Sequence, residues 1–418
     1  MNLCIYEDIE AQAFGALALL RPVFALRCGI FTLVEKLALA FPEAKVHLLV
    51  RSHLEAWTKE LYPDAEIGEP PEDDTIFVNG RLCMTDDEVL HFMAASPQEV
   101  SYVAQGTLFA AKVRGSRVKH VVRHLREGDP DRAFEDVRLP AEVQAFLASS
   151  GADLIRWSPR QILQDARYLF EGGVVQGAVD PGAHFLKAEA IHIARGARIM
   201  AGAVLNAEGG PIVVRENATV EPLAYVEGPA AIGESSIVRA GAKIRGGTSI
   251  GPVCRVGGEV AETVFQGYAN KQHDGFLGHS YVGSWVNIAA DCINSDLKNT
   301  YGKIRVPING RDVDTGEMFV GMFVGDYSKA GINVSFPTGA VIGFCSSVFA
   351  ARSPKFVPSF AWLDGESVQR YDEERGLAIA RKVMARRQCT MTADEEQLFL
   401  AVRQQALAVE KQTLLSVK

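Results

Sequence analysis

Aromatic residues make up only 8% of the 418 positions, and the seven cysteines, Cys4, Cys28, Cys83, Cys254, Cys292, Cys345 and Cys389, include no Cys-x-x-Cys pair. The first shortage argues against a thick aromatic core. The second, with an odd cysteine count, excludes a disulfide framework and a zinc ribbon and reads as a reduced, cytoplasmic chain. Basic residues are also short: 43 Lys and Arg stand against 51 Asp and Glu, a formal net charge of -8. No strong positive field is available to draw in nucleic acid or an anionic membrane. The apolar-rich stretch from Ala11 to Phe41 is broken by Arg21, Arg27, Glu35 and Lys36, so no membrane span is expected. Asn2, Leu3 and Cys4 lead directly to Glu7 and Asp8, without the basic and apolar regions of a signal peptide.

Glycine is in mild excess, with 38 residues, and its distribution is informative. Aliphatic residues fall six apart at Val214, Val220, Val226, Ile232, Val238, Ile244, Ile250 and Val256. Small residues follow four positions later at Ala218, Ala224, Ala230, Ser236, Ala242, Thr248 and Cys254. The register also appears upstream at Ile193, Ile199 and Leu205. It returns at Val282 and Ile288 and again at Val324, Ala330, Phe336, Ile342 and Val348. A six-residue period fits neither an amphipathic helix nor a single strand, but it fits a triangular coil of three hexads, with an aliphatic inward from each face and a small residue at each corner. Asn217 and Gly241 before corners suit left-handed backbone. These features predict a left-handed parallel β-helix over 185–350, in which Cys254 and Cys292 fill corners.

Residues 1–175 alternate short apolar runs with helical stretches, the pattern of an α/β domain. Lys45 to Val50 and Thr75 to Val78 read as strands, Leu33 to Ala40 and Ser52 to Leu61 as helices, and Ser101 to Val113 as two strands turning at Gln105-Gly106. Glycines and Pro181 mark Glu171 to Glu189 as a linker, although Phe170, Val174 and Val175 can pack on either side. Residues 351–418 form a helical extension, with a capping-box pattern at Thr392 and Glu395 and a helix from Ala393 to Val417. Its expected task is to cap the solenoid.

Ionisable residues concentrate where the hexads break, in KQHDGFLGHSYVGSWVNI and on to SDLKNTYGK. This segment resembles the acetyltransferase part of the bacterial bifunctional N-acetylglucosamine-1-phosphate uridylyltransferase and glucosamine-1-phosphate acetyltransferase family. The spacing from His273 to Leu277-Gly278 and on to Asn287 matches without gaps. With GGEV, VGDYSKAGI and RPVFALRCGIFTLVEK, the chain looks like a divergent branch of that family.

The resemblance implies a function and a set of residues. His273 would be the general base that takes a proton from the sugar amine as it attacks the acetyl-CoA thioester, a task suited to imidazole at neutral pH. Asn287 would help hold the sugar. Asn270, Lys271, Phe276, Asp296 and Lys298 would complete the substrate site, with Phe276 standing where the family has Tyr and Asp296 where it has Asn. Acetyl-CoA would lie along Gly325, Asp326, Lys329 and Phe344, between subunits of a homotrimer. His279, on a hexad, reads as structural or as a support for the base. At the N-terminus Arg21, Arg27, Gly29 and Lys36 would contact the phosphates of a nucleoside triphosphate, with Asn79-Gly80-Arg81 after a strand. Mg2+ is expected if this domain is active, with Asp153 and Asp165 as candidate ligands, although no Gly-rich phosphate loop is present. The pair of domains would then build a nucleotide sugar of the UDP-N-acetylglucosamine type from an amino-sugar phosphate, acetyl-CoA and a nucleoside triphosphate. Two alternatives compete: a non-catalytic nucleotide-sugar-binding or trimeric scaffold protein, and a zinc β-helix of the carbonic anhydrase kind. The second is weaker, because no third histidine stands near His273 and His279.

Overall fold

The computed structural model describes the chain apart from residues 86–94, 97, 105, 138–140, 143, 170–172, 366 and 417–418. The proposed turn residue Gln105, the packing position Phe170 and the helix end at Val417 therefore lie outside the described residues. The chain divides into two compact units. The first comprises Met1–Phe14, Leu20–Leu26 and Phe31–Ser150, and the second Gly15–Leu19, Arg27–Ile30 and Gly151–Lys418.

In the first unit, strands β1 (Asn2–Tyr6), β2 (Lys45–Leu49), β3 (Glu66–Ile67) and β4 (Thr75–Asn79) pair in parallel in the order β3-β2-β1-β4. The sheet continues through the antiparallel strands Thr107–Val113 and Val100–Ala104. Helix Leu33–Ala40 begins with a complete capping box: Thr32 N–H donates to the Glu35 carboxylate (2.7 Å) and Glu35 N–H to Thr32 Oγ1 (3.4 Å). One face of the sheet packs Cys4, Tyr6, Phe77, Ala111 and Val113 against Val118, Val121 and Val122 of helix Arg117–Arg126. The chain steps outward from β1 to β3 and then returns to β4 on the other side of β1. That reversal opens a crevice at the carboxyl ends of the strands.

The second unit is a left-handed parallel β-helix of three sheets, preceded by helix Gly151–Asp165. The repeating aliphatics from Val214 to Val256 and their small corner partners are all buried, most with no exposed surface. Asn217 and Gly241 have φ of 57° and 70°, as the corner geometry requires. Bulky Leu223, Val253 and Trp285 adopt the same left-handed backbone, with φ of 62°, 58° and 61°. The solenoid is longer than its clearest hexads. Val174–Val175, Ala178–Val179 and His184–Leu186, in the stretch expected to be a linker, pair with Ile191–Ile193, Arg198–Ile199 and Val204–Asn206 as a first coil. At the other end, Phe356–Val357 and Ala361–Asp364 extend two of the sheets, and Ser367–Arg370 folds back antiparallel. Helix Gly151–Asp165 belongs to this unit, because Leu154, Ser158 and Asp165 bond the strap Arg27–Ile30.

Helices Glu373–Ala385 and Ala393–Ser416 follow. Only half of the expected second capping box forms. Thr392 Oγ1 accepts from Glu395 N–H (3.2 Å), but the Glu395 carboxylate instead accepts from the Tyr327 hydroxyl (2.7 Å).

Each coil lies so close to the next that some turns have no space for a side chain. A methyl group on Gly233 would sit 2.5 Å from the Gly251 carbonyl carbon, a contact with backbone that has no freedom to rotate away. Gly233→Ala is expected to cost about 1–3 kcal/mol through forced separation of the coils, read as a lower midpoint in urea unfolding followed by circular dichroism. An unchanged midpoint would mean that the turn relaxes freely.

Candidate functional site

The break in the hexads is a short loop between strands Asn270–Lys271 and Phe276–Gly278. Lys271 pairs with Val256, so it takes an inward position that the repeat otherwise gives to an aliphatic residue. Its side chain is fully buried. Burial pushes its ammonium below the usual lysine range, and three backbone carbonyls satisfy it: Gly257 (3.3 Å), Asp274 (3.1 Å) and His273. All three ammonium protons are thereby engaged, so Lys271 is not placed to meet a substrate phosphate. Its role is to fix the backbone of a loop on which His273 stands exposed. Gly275, with φ of 118°, completes the turn against the Cys292 carbonyl, where a methyl would approach to 2.1 Å.

Next to this loop, His279 lies between two acids. Its Nδ1 is 2.8 Å from Asp296 Oδ2 and its Nε2 is 3.4 Å from Glu262 Oε1, and its ring stacks on Phe319 with centroids 5.1 Å apart. Burial opposes the charged ring, but hydrogen bonds and charge from Asp296 and Glu262 outweigh it, and the pKa rises to about 9. At neutral pH His279 is an imidazolium with both nitrogens donating. It therefore has no lone pair for a proton or a metal, and Asp296 serves as its counter-ion. Asn294 stitches the neighbouring backbone, accepting from Gly278 N–H (2.8 Å) and donating to Gly278 O (3.0 Å).

The remaining expected substrate residues are dispersed. Asn287 and Asn270 are half-buried and adjacent in register on one face. Phe276 lies on a different face, in register with Glu259. Lys298 donates to the Lys303 carbonyl within the extruded loop (2.6 Å).

The expected acetyl-CoA bed is closed in this chain. Phe344 has no exposed surface and packs edge-on against Tyr327, Phe360 and Phe399. Asp326 is buried and accepts from Ser284 N–H (2.6 Å). A methyl on Gly325 would lie 2.9 Å from Phe344 N. Lys329 donates to the Tyr327 carbonyl (2.9 Å), and burial lowers its pKa. The physical reason is the C-terminal helix, whose Phe399 and Glu395 fill this position, and nothing in the sequence of the hexads announces it. The corner cysteines are unreactive by the same burial, which pushes the Cys254 thiol up to about 12 and raises that of Cys292.

In the first unit a cavity of about 330 Å³ opens at the carboxyl ends of β1 and β2, lined by Glu7, Asp8, Gln12, Arg51, Ser52 and Arg126 among others. Its walls are set by two charge pairs. Glu7 takes Arg51 through both carboxylate oxygens (3.1 Å each) and also accepts from the backbone N–H groups of Val23 and Arg51. Asp8 holds Arg81 (2.6 and 2.9 Å) and the Asn79 amide (2.7 Å). The sequence reading named Arg81 but missed Glu7, Asp8 and Arg51, whose partners lie 44 and 73 residues apart.

The expected nucleotide residues divide between the units: Arg21 and Lys36 fall in the first, Arg27 and Gly29 in the second. Gly29 has no room for a ligand. It donates to Ser158 Oγ (3.3 Å), accepts from Ser249 Oγ (2.5 Å), and a methyl there would meet Asp165 and Gln161. Arg27 donates through its backbone to Gln266 (3.0 Å) and Tyr281 (2.8 Å), while its guanidinium reaches the Ile30 carbonyl. Asp153 pairs with Arg156 (2.9 Å), and buried Asp165 accepts from Ile30 N–H (2.8 Å). Among the described residues no three His, Cys, Asp or Glu side chains are grouped to hold a metal ion.

Comparison with known proteins bears on the first part of the chain. Residues 3–173 match the sugar nucleotidyl transferase family. The matched region takes in nearly all of the first unit and runs on into the second. The chain is also similar to a bifunctional sugar-1-phosphate nucleotidylyltransferase/acetyltransferase of Sulfurisphaera tokodaii, with 26% identity over 22% of this chain and 23% of that protein. A bifunctional protein GlmU of Acidithiobacillus ferrooxidans is 29% identical over 41% of this chain and 34% of its own. The chain thus spans about a quarter to a third of the curated relatives it matches. Among solved structures, a UDP-N-acetylglucosamine acyltransferase from Campylobacter jejuni aligns with 58% of this chain and 94% of its own at 13% identity, TM-score 0.27. An LpxA from Acinetobacter baumannii aligns with 59% and 95% at 14% identity, TM-score 0.25. No helix among the described residues is long and apolar enough to cross a membrane.

The charge on His279 has a consequence for stability. Its pKa is about 9 when folded and near 6.5 when unfolded, so the stabilisation is complete below about pH 6.5 and disappears as pH rises through about 9. Raising the pH from 6.5 to 9.5 should cost about 1–3 kcal/mol of unfolding free energy, and His279→Gln should flatten that dependence. Equal pH slopes in the two proteins would show that the ring is not charged.

Proposed function

We propose that this protein is a sugar-phosphate acyltransferase fused to a sugar-1-phosphate nucleotidyltransferase-like domain. It would move an acetyl group from acetyl-CoA to an amino-sugar phosphate, glucosamine-1-phosphate by resemblance, in the cytoplasmic synthesis of a nucleotide sugar of the UDP-N-acetylglucosamine type. The observation that carries the reading is His273, an exposed imidazole on a loop whose backbone is fixed by buried Lys271, in ungapped spacing with Leu277-Gly278 and Asn287. In the reaction the free amine attacks the thioester carbonyl and forms the C–N bond, His273 takes the amine proton, and as the C–S bond breaks His273 returns that proton to the departing sulfur, so that CoA leaves as the thiol. His279 cannot replace it as base, because it is already protonated.

The solenoid would work as a homotrimer. With the surface over Tyr327 and Phe344 occupied by the chain's own helix, the acyl donor would lie elsewhere on the coil or against a second subunit. In the first unit the cavity beside Arg51 and Arg126 would accept the phosphates of a nucleoside triphosphate. Mg2+ is expected for nucleotidyl transfer, but Glu7 and Asp8 are held by arginines and do not form a metal-binding set, so no step is assigned to it. The same pairing favours, for this unit alone, binding of a nucleotide sugar without turnover. Pyrophosphate release from UTP and a sugar-1-phosphate separates that case from catalysis.

The acyl-transfer reading is tested by following thiol release from acetyl-CoA with a panel of amino-sugar phosphates. His273→Ala should lower kcat by about 10²–10⁴-fold with circular dichroism and oligomeric state unchanged. No thiol release by the wild-type chain with any acceptor would sink the proposal, and full activity in the variant would move the base elsewhere.

A further inference from the structure

On the second face of the solenoid Arg255, Asn270 and Asn287 occupy successive rungs in register. Their strand neighbours Val256 and Ile288 are core residues, so the three polar side chains stand on the outer surface, about 4.8 Å from rung to rung. Arg387, just beyond helix Glu373–Ala385, joins them: its Nη2 donates to Asn270 Oδ1 at 2.9 Å. Arg255 donates through Nη1 to the carbonyls of Ser235 and Cys254, both at 2.9 Å. Two guanidinium groups are thus gathered around one amide, and all three residues are half-buried.

No carboxylate answers this charge among the described residues. The groups acting on Arg255 after burial are Arg387, the Cys254 thiol and Arg239, and the two arginines and burial all push its pKa down. Arg239, one coil back, is by contrast paired with Glu221 at 2.9 Å. Arg387 Nε is buried without a hydrogen-bond partner. Partly desolvated like charges repel, and a planar guanidinium fork is suited to grip an oxyanion at two points.

We propose that Arg255 and Arg387, with the Asn270 side-chain amide, form a binding site for a phosphoryl group. Asn270 Oδ1 is engaged by Arg387, which leaves its Nδ2 protons to complete the cradle. Asn270 lies three residues before His273 on the same segment, and Lys329 of the closed surface follows Asn287 on the next rung of this ladder. Its ligand, a sugar phosphate or a phosphate of CoA, rests on the acyl-transfer reading above, whereas the site itself does not.

The test is isothermal titration of the full chain with inorganic phosphate at constant ionic strength. Saturable binding is expected, weakened at least tenfold in Arg255→Gln and in Arg387→Gln and unchanged in Arg198→Gln, whose side chain is paired with Asp180 on a distant coil. Arg387→Lys keeps the charge without the fork and should weaken binding less than Arg387→Gln. Competition by glucosamine-1-phosphate, or by CoA but not dephospho-CoA, identifies the source of the phosphoryl group. Absence of saturable phosphate binding in the wild-type chain, or wild-type affinity in both glutamine variants, overturns the site. Phosphate binding without acyl transfer would leave it standing and overturn only the acyltransferase reading.

Discussion

Every coil of the solenoid must close on three short flat sides, because each inward residue packs on the equivalent residue of the coil below. The core is one side chain thick, and Ile232 over Ile250 or Val220 over Val238 are its units. Stability in such a stack is a sum of neighbouring interfaces, so no face can absorb an extra residue. Added chain has to leave at a corner. Where Ser249 pairs with Val264 and Val264 with Tyr281, the coils are of uneven length, and between Tyr281 and Phe323 a long loop is expelled. The chemistry gathers at these departures because only there are backbone and side chains released from the repeat.

The same constraint separates what the sequence discloses from what it hides. The aliphatic and corner positions are legible because a six-residue period has one geometric solution, and the left-handed turns at Asn217 and Gly241 follow from it. Lys271 is hidden from the repeat because the shortened coil moves it into an inward slot opposite Val256, which counting by sixes does not reach. A lysine that pairs with a core valine has to bury its charge, and the carbonyls of the His273 loop satisfy it. The first coil reads as a linker for a related reason: its strands are only two or three residues long, and their pairing is visible only across the coil.

Contacts between distant positions left no trace in the pattern. Glu7 with Arg51 is built by β2 lying beside β1, and Asp8 with Arg81 by the return of β4 on the other side of β1, a property of topology rather than of local spacing. His279 carries its meaning in the same way. Read alone, it is a histidine on a hexad. Beside Asp296 and Glu262 it becomes a cation held between two acids.

The C-terminal helices extend this logic from pairs to a surface. Glu395 spends its carboxylate on Tyr327 and not on its own helix cap, and Glu410, 15 residues further along the helix, accepts from the Ser359 backbone (2.7 Å) and hydroxyl (2.6 Å). Burial raises the Glu410 pKa to about 7 despite these bonds. Two buried acids and Phe399 therefore fasten the helix to the end of the solenoid and close the surface that the repeats alone would leave open. The turn that follows the preceding helix delivers Arg387 to the outer ladder beside Asn270. An appendage that reads in sequence as a cap thus decides which faces of the solenoid remain available to ligands, and it contributes a cation to one of them.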